Sequence, residues 1–254
     1  MAPQADGAAA GIRSRDNALL AALPDGEFAR VSAHLTPVAF PRGVELDAPD
    51  AEIEHVYFPV RGIASILAIG EEGESVDTAM IGREGMTGLA VFLGTGQMPV
   101  RTMVQIPMTA FRMPAEALRS ELERSGQLVN LLQRYTQVVM VSMAQLILCN
   151  RVHRLDQRAA RWLLQVDERV DEARFSVTHE FLAEMIGVQR PSVSLAIHQF
   201  KDDGLITYSR GEIRIDDRDG LMRRACSCIG IMHAEEKRLR NTAEQYDIGK
   251  RTPS

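Results

Sequence analysis

The segment from Gln127 to Arg151 constrains the fold more than any other part of the chain. It reads QLVNLLQRYTQVVMVSMAQLILCNR and carries no charge between Arg134 and Arg151. Spacings of three and four predict a helix about 37 Å long with an apolar stripe on each of two sides. One stripe contains Leu128, Leu131, Tyr135 and Val138, and the other contains Leu132, Val139, Met143 and Leu146. Such a helix needs two partners, so we expect one side to pack on the chain's own core and the other on a second copy in a homodimer. A single core helix in a monomer is the alternative.

Upstream of this helix, between Val38 and Met113, the apolar runs are short and separated by turns. The runs are VAF, HVYF, IASILAI, SVDTAMI, LAVFL, VRTMVQI and TAFRM, with Gly70-Glu71-Glu72-Gly73 between two of them. Runs of this length, rich in Val, Ile and Thr, predict a meandering antiparallel sheet in a sandwich or barrel. Pro114 then begins a helical region, because Pro is tolerated in the first turn of a helix.

The chain therefore divides into five segments of an α+β protein. Residues 1–16 mix Ala, Gly and single charges and predict a disordered leader, after which Asn17 caps a first helix. A β domain at 17–126 and a dimerisation helix at 127–151 follow. A helical domain occupies 152–230, and a tail at 231–254 is predicted only to begin as a helix.

Within the helical domain, the segment from Thr178 to Phe200 has the pattern of two helices joined by a tight turn. The Thr178 hydroxyl is placed to cap the first helix, and Gly187 stands where a left-handed residue ends it. The second helix begins near Gln189, and its buried stripe leaves the opposite side free. That stripe contains Val193, Ala196, Ile197 and Phe200.

Two short runs after these helices, at 205–208 and 212–215, predict strands around a tight turn at Ser209-Arg210-Gly211. Together with the helix pair they form a winged helix-turn-helix, whose second helix would project into a DNA major groove.

The free side of the second helix supplies the candidate DNA contacts. Arg190 is the strongest candidate for reading a base, because a guanidinium can donate two hydrogen bonds to guanine O6 and N7. Ser194 and His198 are candidates for further base contacts. Phosphate contacts that set the register are assigned to Thr178, Gln189, Ser192 and Arg210.

The charge balance limits how this surface can bind DNA. The chain has 29 Lys and Arg against 34 Asp and Glu, a net charge of −5. Between Ser176 and Arg214 the basic residues Arg190, Lys201, Arg210 and Arg214 are outnumbered by Glu180, Glu184, Asp202, Asp203 and Glu212. Binding to DNA must therefore be local and oriented. An alternative is that the β domain senses a metabolite while the helix-turn-helix contacts a protein.

The order of β domain, long helix and winged helix-turn-helix resembles the Crp/Fnr family of bacterial transcription regulators. The resemblance is carried by the run from His153 to Leu164, by the Thr178 to Phe200 segment, and by His55-Val56-Tyr57-Phe58-Pro59 with Gly62. It implies that the β domain is a β-roll of the cyclic-nucleotide-binding type, a double-stranded β-helix. It further implies a homodimer that binds double-stranded DNA at a palindromic promoter site under control of a signal sensed by the roll. RNA polymerase and a small-molecule effector are further candidate partners.

Departures from the family pattern bear on the effector. Members that bind cyclic nucleotides carry Gly-Glu-Leu followed by Glu-Arg-Ser-Ala, whereas this chain has Gly88-Leu89-Ala90 and Val100-Arg101-Thr102-Met103. Leu89 cannot accept hydrogen bonds from a sugar, so cyclic AMP is not expected. Arg101 and Thr102 remain a candidate anion-binding pair. The family's oxygen sensors hold an iron–sulfur cluster on N-terminal cysteines, and this chain has no cysteine before Cys149.

Other function classes find little support in the sequence. It contains no Walker phosphate loop and no Gly-x-Ser-x-Gly elbow, and its six histidines lack the short spacing of metal ligands on one strand, so we expect no enzyme, metal or cofactor. The three cysteines, Cys149, Cys226 and Cys228, are too few for a disulfide framework, and the latter two are expected to be small buried apolar residues. The longest uncharged run is shorter than the ~20 apolar residues of a membrane span. With no secretory signal pattern at Met1 to Gly11, we expect a cytoplasmic protein.

Overall fold

The computed structural model describes residues 11–124, 126–170 and 172–249, and the side chains up to residue 241. Part of the predicted leader and the end of the predicted tail lie outside these ranges. Ser14–Asp16, within that leader, form one turn of 3-10 helix. The helices that follow are α1 (Ala18–Ala21), α2 (Asp25–Ser32), α3 (Leu89–Phe92), α4 (Ala115–Arg124), α5 (Gly126–Val152), α6 (Leu155–Asp167), α7 (His179–Ile186), α8 (Arg190–Asp202), α9 (Arg218–Arg224) and α10 (Cys228–Gly249). The strands are β1 (Thr36–Phe40), β2 (Glu45–Asp47), β3 (His55–Ile69), β4 (Ser75–Ile81), β5 (Arg101–Pro114), β6 (Phe175–Ser176), β7 (Ile206–Ser209) and β8 (Glu212–Ile215).

Two long antiparallel strands, β3 and β5, form the centre of the β domain. The strand order is β1-β5-β3-β4, and β2 pairs with another part of β5. The runs HVYF and IASILAI are both part of β3, which pairs with β5 from His55 opposite Pro114 to Leu67 opposite Arg101. This antiparallel architecture, followed by a C-terminal helix-turn-helix, is consistent with the predicted β-roll.

One predicted strand is wrong. The run LAVFL forms the short helix α3 instead of a strand, beginning after Gly88 in the left-handed conformation with φ 74°. Leu89, Ala90 and Val91 are buried against the roll. A short apolar run does not distinguish a strand from a buried helix, and here the left-handed glycine turns the chain into the helix.

The long helix and the C-terminal segment pack on each other. Helix α5 extends one residue beyond the predicted range at each end. The predicted tail, assigned only a helical start, continues in α10 as far as Gly249. Leu239 of α10 is buried in the same cluster as α5, and Gln137 Nε2 donates to Glu235 Oε2 at 3.2 Å. Neither α5 nor any other helix within residues 11–249, outside the two gaps, has the length and hydropathy needed to cross a bilayer.

The winged domain is docked on the roll by apolar packing. Ile63, Leu67 and Ile106 of the roll are buried in one cluster with residues of α6, α7 and α8. The Arg42 guanidinium carbon also lies 3.7 Å from the centroid of the Phe181 ring in α7. These contacts fix the position of the helix-turn-helix relative to the β domain.

Candidate DNA-binding surface

The first helix of the pair and its turn form as the sequence predicts. The Thr178 hydroxyl oxygen accepts a hydrogen bond from the Phe181 backbone N–H at 3.2 Å, which caps α7. Gly187 ends the helix at φ 65° and ψ 50°, a left-handed conformation that strains residues with a Cβ. Helix α8 then begins at Arg190, and Pro191 lies in its first turn.

Helix α8 has one buried side and one free side. Val193, Ala196, Ile197 and Phe200 are all buried, as predicted from their spacing. The opposite side is exposed, and the Leu195 side chain at its centre is 74% exposed. The exposed candidate contacts are Thr178, Gln189, Arg190, Ser192, His198 and Arg210. The surface that the sequence assigns to DNA is therefore accessible in the folded chain.

Ser194 differs from the other candidates because its hydroxyl is already hydrogen-bonded. Its Oγ donates to the Arg190 carbonyl at 3.2 Å and lies 2.9 Å from His179 Nδ1. Since the single hydroxyl proton goes to the carbonyl, His179 Nδ1 must be the donor in the second contact. His198 Nδ1 donates to the Ser194 carbonyl at 2.6 Å. The other ring nitrogen of His198, Nε2, takes no part in this hydrogen bond. Ser194 thus takes part in the bonding within the helix pair, and base contacts by Ser194 and by His198 Nε2 both stay predictions.

His179 is a structural part of this surface that the sequence did not reveal. Its ring stacks on Tyr208 of the wing, with centroids 4.6 Å apart and an angle of 22° between the planes. Burial, with the nearby His198 and Arg190 charges, lowers the pKa of His179, so it is neutral at physiological pH. The neutral ring joins α7, α8 and the wing. No spacing in the sequence signals this contact, because it depends on how the two helices cross.

Arg190 faces solvent beside an acidic neighbour. Its Nε lies 3.6 Å from Glu180 Oε2, and the two side chains are 65% and 78% exposed. An ion pair this exposed contributes little stability, so Arg190 can exchange Glu180 for another acceptor at little cost.

The wing is a tight two-residue hairpin with a basic tip. Ser209 pairs with Glu212 across the turn, and both residues between them have positive φ, 53° at Arg210 and 81° at Gly211. This combination is typical of a type I′ turn, in which Asn-Gly is favoured. Arginine rarely adopts this conformation, and here it presents the guanidinium at the end of the wing.

The two candidate ligand residues in the roll are not brought together. Arg101 Nε lies 2.5 Å from Glu45 Oε2 in an ion pair. Thr102 is buried and lines a cavity of ≈ 20 Å³ together with Leu89 and Asp47. Burial raises the pKa of Asp47 to about 6. A cavity of this volume has room for about one water molecule. The carboxyl group of Asp47 also makes this cavity unfavourable for an anion.

Comparisons with known proteins agree with this architecture. A model of the Crp-like helix-turn-helix domain matches residues 157–224. The chain is 26% identical over 208 residues to a protein of Mycobacterium tuberculosis named CRP-like cAMP-activated global transcriptional regulator, covering 78% of this chain and 91% of that one. A solved structure from Eubacterium rectale, assigned to the Crp/Fnr family, has a TM-score of 0.63 at 20% identity, covering 81% of this chain and 96% of that one. FixK2 from Bradyrhizobium japonicum has a TM-score of 0.61 at 15% identity, covering 76% of this chain and 98% of that one.

The structural similarities establish the fold, and the sequence matches establish the kind of helix-turn-helix that the fold carries. The similar proteins are transcription regulators rather than enzymes. The chain thus carries a Crp-like helix-turn-helix domain at residues 157–224 within a fold that is similar to that of Crp/Fnr family transcription regulators.

Proposed function

We propose that this protein binds a palindromic promoter site as a homodimer, under control of a signal received by the roll. The observation that carries the proposal is the exposed polar side of α8, with the basic tip of the wing beside it. A helix held in this way fits the major groove, and its N-terminal residues lie where base edges are contacted. Arg190 reads a base, His198 adds a contact, and Thr178, Gln189, Ser192 and Arg210 contact phosphates. RNA polymerase and a cytoplasmic location remain predictions from the family resemblance and from the cysteine content.

Replacing Arg190 tests the assignment of base reading. Arg190→Ala should weaken binding to a specific duplex from the gene's own upstream region by about 1–3 kcal/mol and relax the preference at one base pair. Binding is measured by fluorescence anisotropy on specific and scrambled duplexes. Lys201→Ala is the control, because it removes the same charge from the opposite end of α8. Equal losses in the two variants, or equal losses on both duplexes, would contradict base reading by Arg190.

Arg210→Asn tests the phosphate contact with little change to the wing. Asn favours a positive φ before Gly, so the variant keeps the hairpin and removes the charge. We expect weaker binding to both duplexes, a salt slope reduced by about 1, and an unchanged melting temperature. An unchanged salt slope would remove Arg210 from the interface.

An exposed apolar stripe on α5 supports the homodimer. Met140, Ile147, Leu148 and Val152 are 65%, 74%, 46% and 57% exposed, although they belong to a helix whose other side is in the core. The seven-residue interval between Met140 and Ile147 is the repeat of a two-stranded coiled coil. A second copy of the same helix would cover this stripe. The resulting dimer would present two recognition helices to the two half-sites of a palindromic DNA site.

The oligomeric state tests this pairing directly. Ile147→Asp should shift the protein from dimer to monomer in light scattering at micromolar concentration, because two carboxylates would face each other in the apolar seam. Gln97→Asp, at an exposed position of the roll outside α5, should leave the dimer intact. A wild-type monomer, or an Ile147→Asp dimer of equal affinity, would contradict the proposal.

The alternative function is a sensor whose helix-turn-helix binds a protein. It is favoured by one observation, the excess of acidic over basic residues between Ser176 and Arg214. In that case neither duplex would bind at physiological salt, and Arg190→Ala and Arg210→Asn would have no effect on DNA.

A further inference from the structure

Four metal-ligating side chains that are distant in the sequence meet at the junction between the long helix and the winged domain. Cys149 lies near the end of α5 and His153 directly after it, while Cys226 lies two residues before α10 and Cys228 is the first residue of α10. One potential ligand atom from each residue lies within 4.8 Å of the other three. Cys149 Sγ is 3.4 Å from Cys226 Sγ, and Cys228 Sγ is 3.5 Å from His153 Nδ1.

The local structure explains how these residues come together. Cys149 and His153 are four residues apart, so they share one side of the helical turn, and the His153 N–H donates to the Cys149 carbonyl at 3.1 Å. The Cys226 N–H donates to the Gln157 carbonyl of α6 at 3.3 Å, which holds the Cys226-Ser227-Cys228 segment against the junction. All three thiols are enclosed, since Cys149, Cys226 and Cys228 are 0%, 2% and 1% exposed.

The separations match the coordination sphere of one zinc ion. Zinc–sulfur bonds of ~2.3 Å in a tetrahedron place the ligand atoms ~3.8 Å apart. The Cys149–Cys226 and Cys228–His153 pairs lie slightly inside this distance, and no separation exceeds it by more than about 1 Å, a change that side-chain rotation supplies. Three cysteines and one histidine are a common ligand set of closed structural zinc sites. The Cys-x-Cys pair is shorter than the usual spacing of such sites, which is why the sequence pattern did not indicate a metal.

The charges around the cluster fit a site with three thiolates. Three thiolates, a neutral imidazole and Zn²⁺ sum to −1, and the buried guanidinium groups of Arg158 and Arg161 lie beside them. Among the described residues, Nε of Arg158 and Nε of Arg161 find no hydrogen-bond acceptor, so each keeps one unpaired N–H donor.

We propose that Cys149, His153, Cys226 and Cys228 bind one zinc ion that fastens the end of α5 to the start of α10. Only two residues separate α5 from α6, and the ion lies at this link. It therefore joins the proposed dimerisation helix to the domain that carries the recognition helix. The zinc site stands independently of DNA binding, because its ligands lie outside the surface of α8.

Metal content of the full chain tests the proposal. Protein purified under reducing conditions, without an affinity tag that binds metal, should contain one zinc ion per chain. Elemental mass spectrometry measures this content. After removal with a chelator, Co²⁺ should give the visible absorption and the thiolate charge-transfer band of tetrahedral coordination. Stoichiometric Zn²⁺ should abolish both signals. The proposal would be overturned if the wild type held no zinc and gave no such cobalt spectrum, or if it held iron instead. A Cys149–Cys226 disulfide formed under these reducing conditions would also overturn it.

Matched variants then assign the ligands. Cys149→Ser and Cys228→Ser should each lose the zinc and weaken the cobalt charge-transfer band, whereas Ser227→Ala, between two of the ligands and exposed, should retain both. Circular dichroism checks that each variant is folded. Full zinc retention in either cysteine variant would refute the ligand set. Should a variant fail to fold, the measurement on wild type alone decides whether the site exists.

Discussion

Gly62 lies where β3 changes its register with β5 and approaches the opposite strand most closely. Its φ is 79°, and a Cβ at this position would lie 2.0 Å from the Pro107 carbonyl oxygen. The sequence marked this glycine through the family resemblance, and the structure supplies the physical reason. A side chain would push apart the two strands that form the centre of the roll.

Gly62→Ala should therefore lower the free energy of unfolding by at least about 2 kcal/mol, because it combines backbone strain with a clash against backbone atoms. Urea denaturation followed by circular dichroism measures the loss. Gly26→Ala is the control, since Gly26 lies in α2 with no atom near the position of an added Cβ. A loss in Gly62→Ala no larger than in the control would show that the strands adjust freely.

At the scale of elements, a buried ionisable group of β4 faces the Arg161 side chain of α6. Asp77 of β4 is buried, and its Oδ1 has no hydrogen-bond partner among the described residues. Burial raises its pKa to about 7, although the Arg161 charge, the Ser65 hydroxyl and the Arg169 charge act in the opposite direction. The folded state therefore holds a proton that the unfolded chain releases near its ordinary pKa of about 4.

Because the folded pKa is the higher one, this group stabilises the fold at low pH, and the contribution is lost as the pH rises from about 4 to about 7. Asp77→Asn cannot lose a proton, so its stability relative to wild type should increase by about 2 kcal/mol between pH 5 and pH 8. Denaturation curves at both pH values measure this difference. Asp202→Asn, at an exposed position, is the control and should show no such increase. A pH-independent effect of Asp77→Asn would mean that Asp77 is ionised throughout.

At the scale of the whole molecule, the roll, the long helix and the winged domain are fastened together by both apolar and charged contacts. Arg169, which follows α6, lies 2.8 Å from Glu84 of the roll and 2.7 Å from Glu236 of α10. Its side chain is 6% exposed, and the two acidic side chains are 13% exposed each. A shift of any one of these three parts would therefore disturb buried ion pairs with the others.

The filled interior of the roll leads to a prediction about its ligand. The Mycobacterium tuberculosis relative is named as activated by cAMP. In this chain, the cavity of the roll that Leu89 and Asp47 line has a volume of only ≈ 20 Å³. Millimolar cyclic AMP should leave the melting temperature unchanged, since a ligand raises it only by binding the folded state. A DNA duplex that contains the specific binding site is the positive control and should raise the melting temperature. A rise that depends on cyclic AMP concentration would show that the roll opens to admit the nucleotide.

The sequence by itself determined the features that depend on neighbouring residues. Helical spacing predicted α5 and the buried side of α8, and local cap and turn chemistry predicted Thr178, Gly187 and the wing. These signals are readable because caps, turns and periodicity act over a few residues. The exposed candidate contacts, including Arg190 and Arg210, followed from the same local rules.

Only the tertiary structure decided which distant side chains meet. It placed His179 between Ser194 and Tyr208, separated Arg101 from the cavity that Thr102 lines, turned LAVFL into a helix, and brought Cys149 within 3.4 Å of Cys226 across 77 residues of sequence. These outcomes depend on how packed elements cross, and packing is set by the whole core rather than by any short pattern.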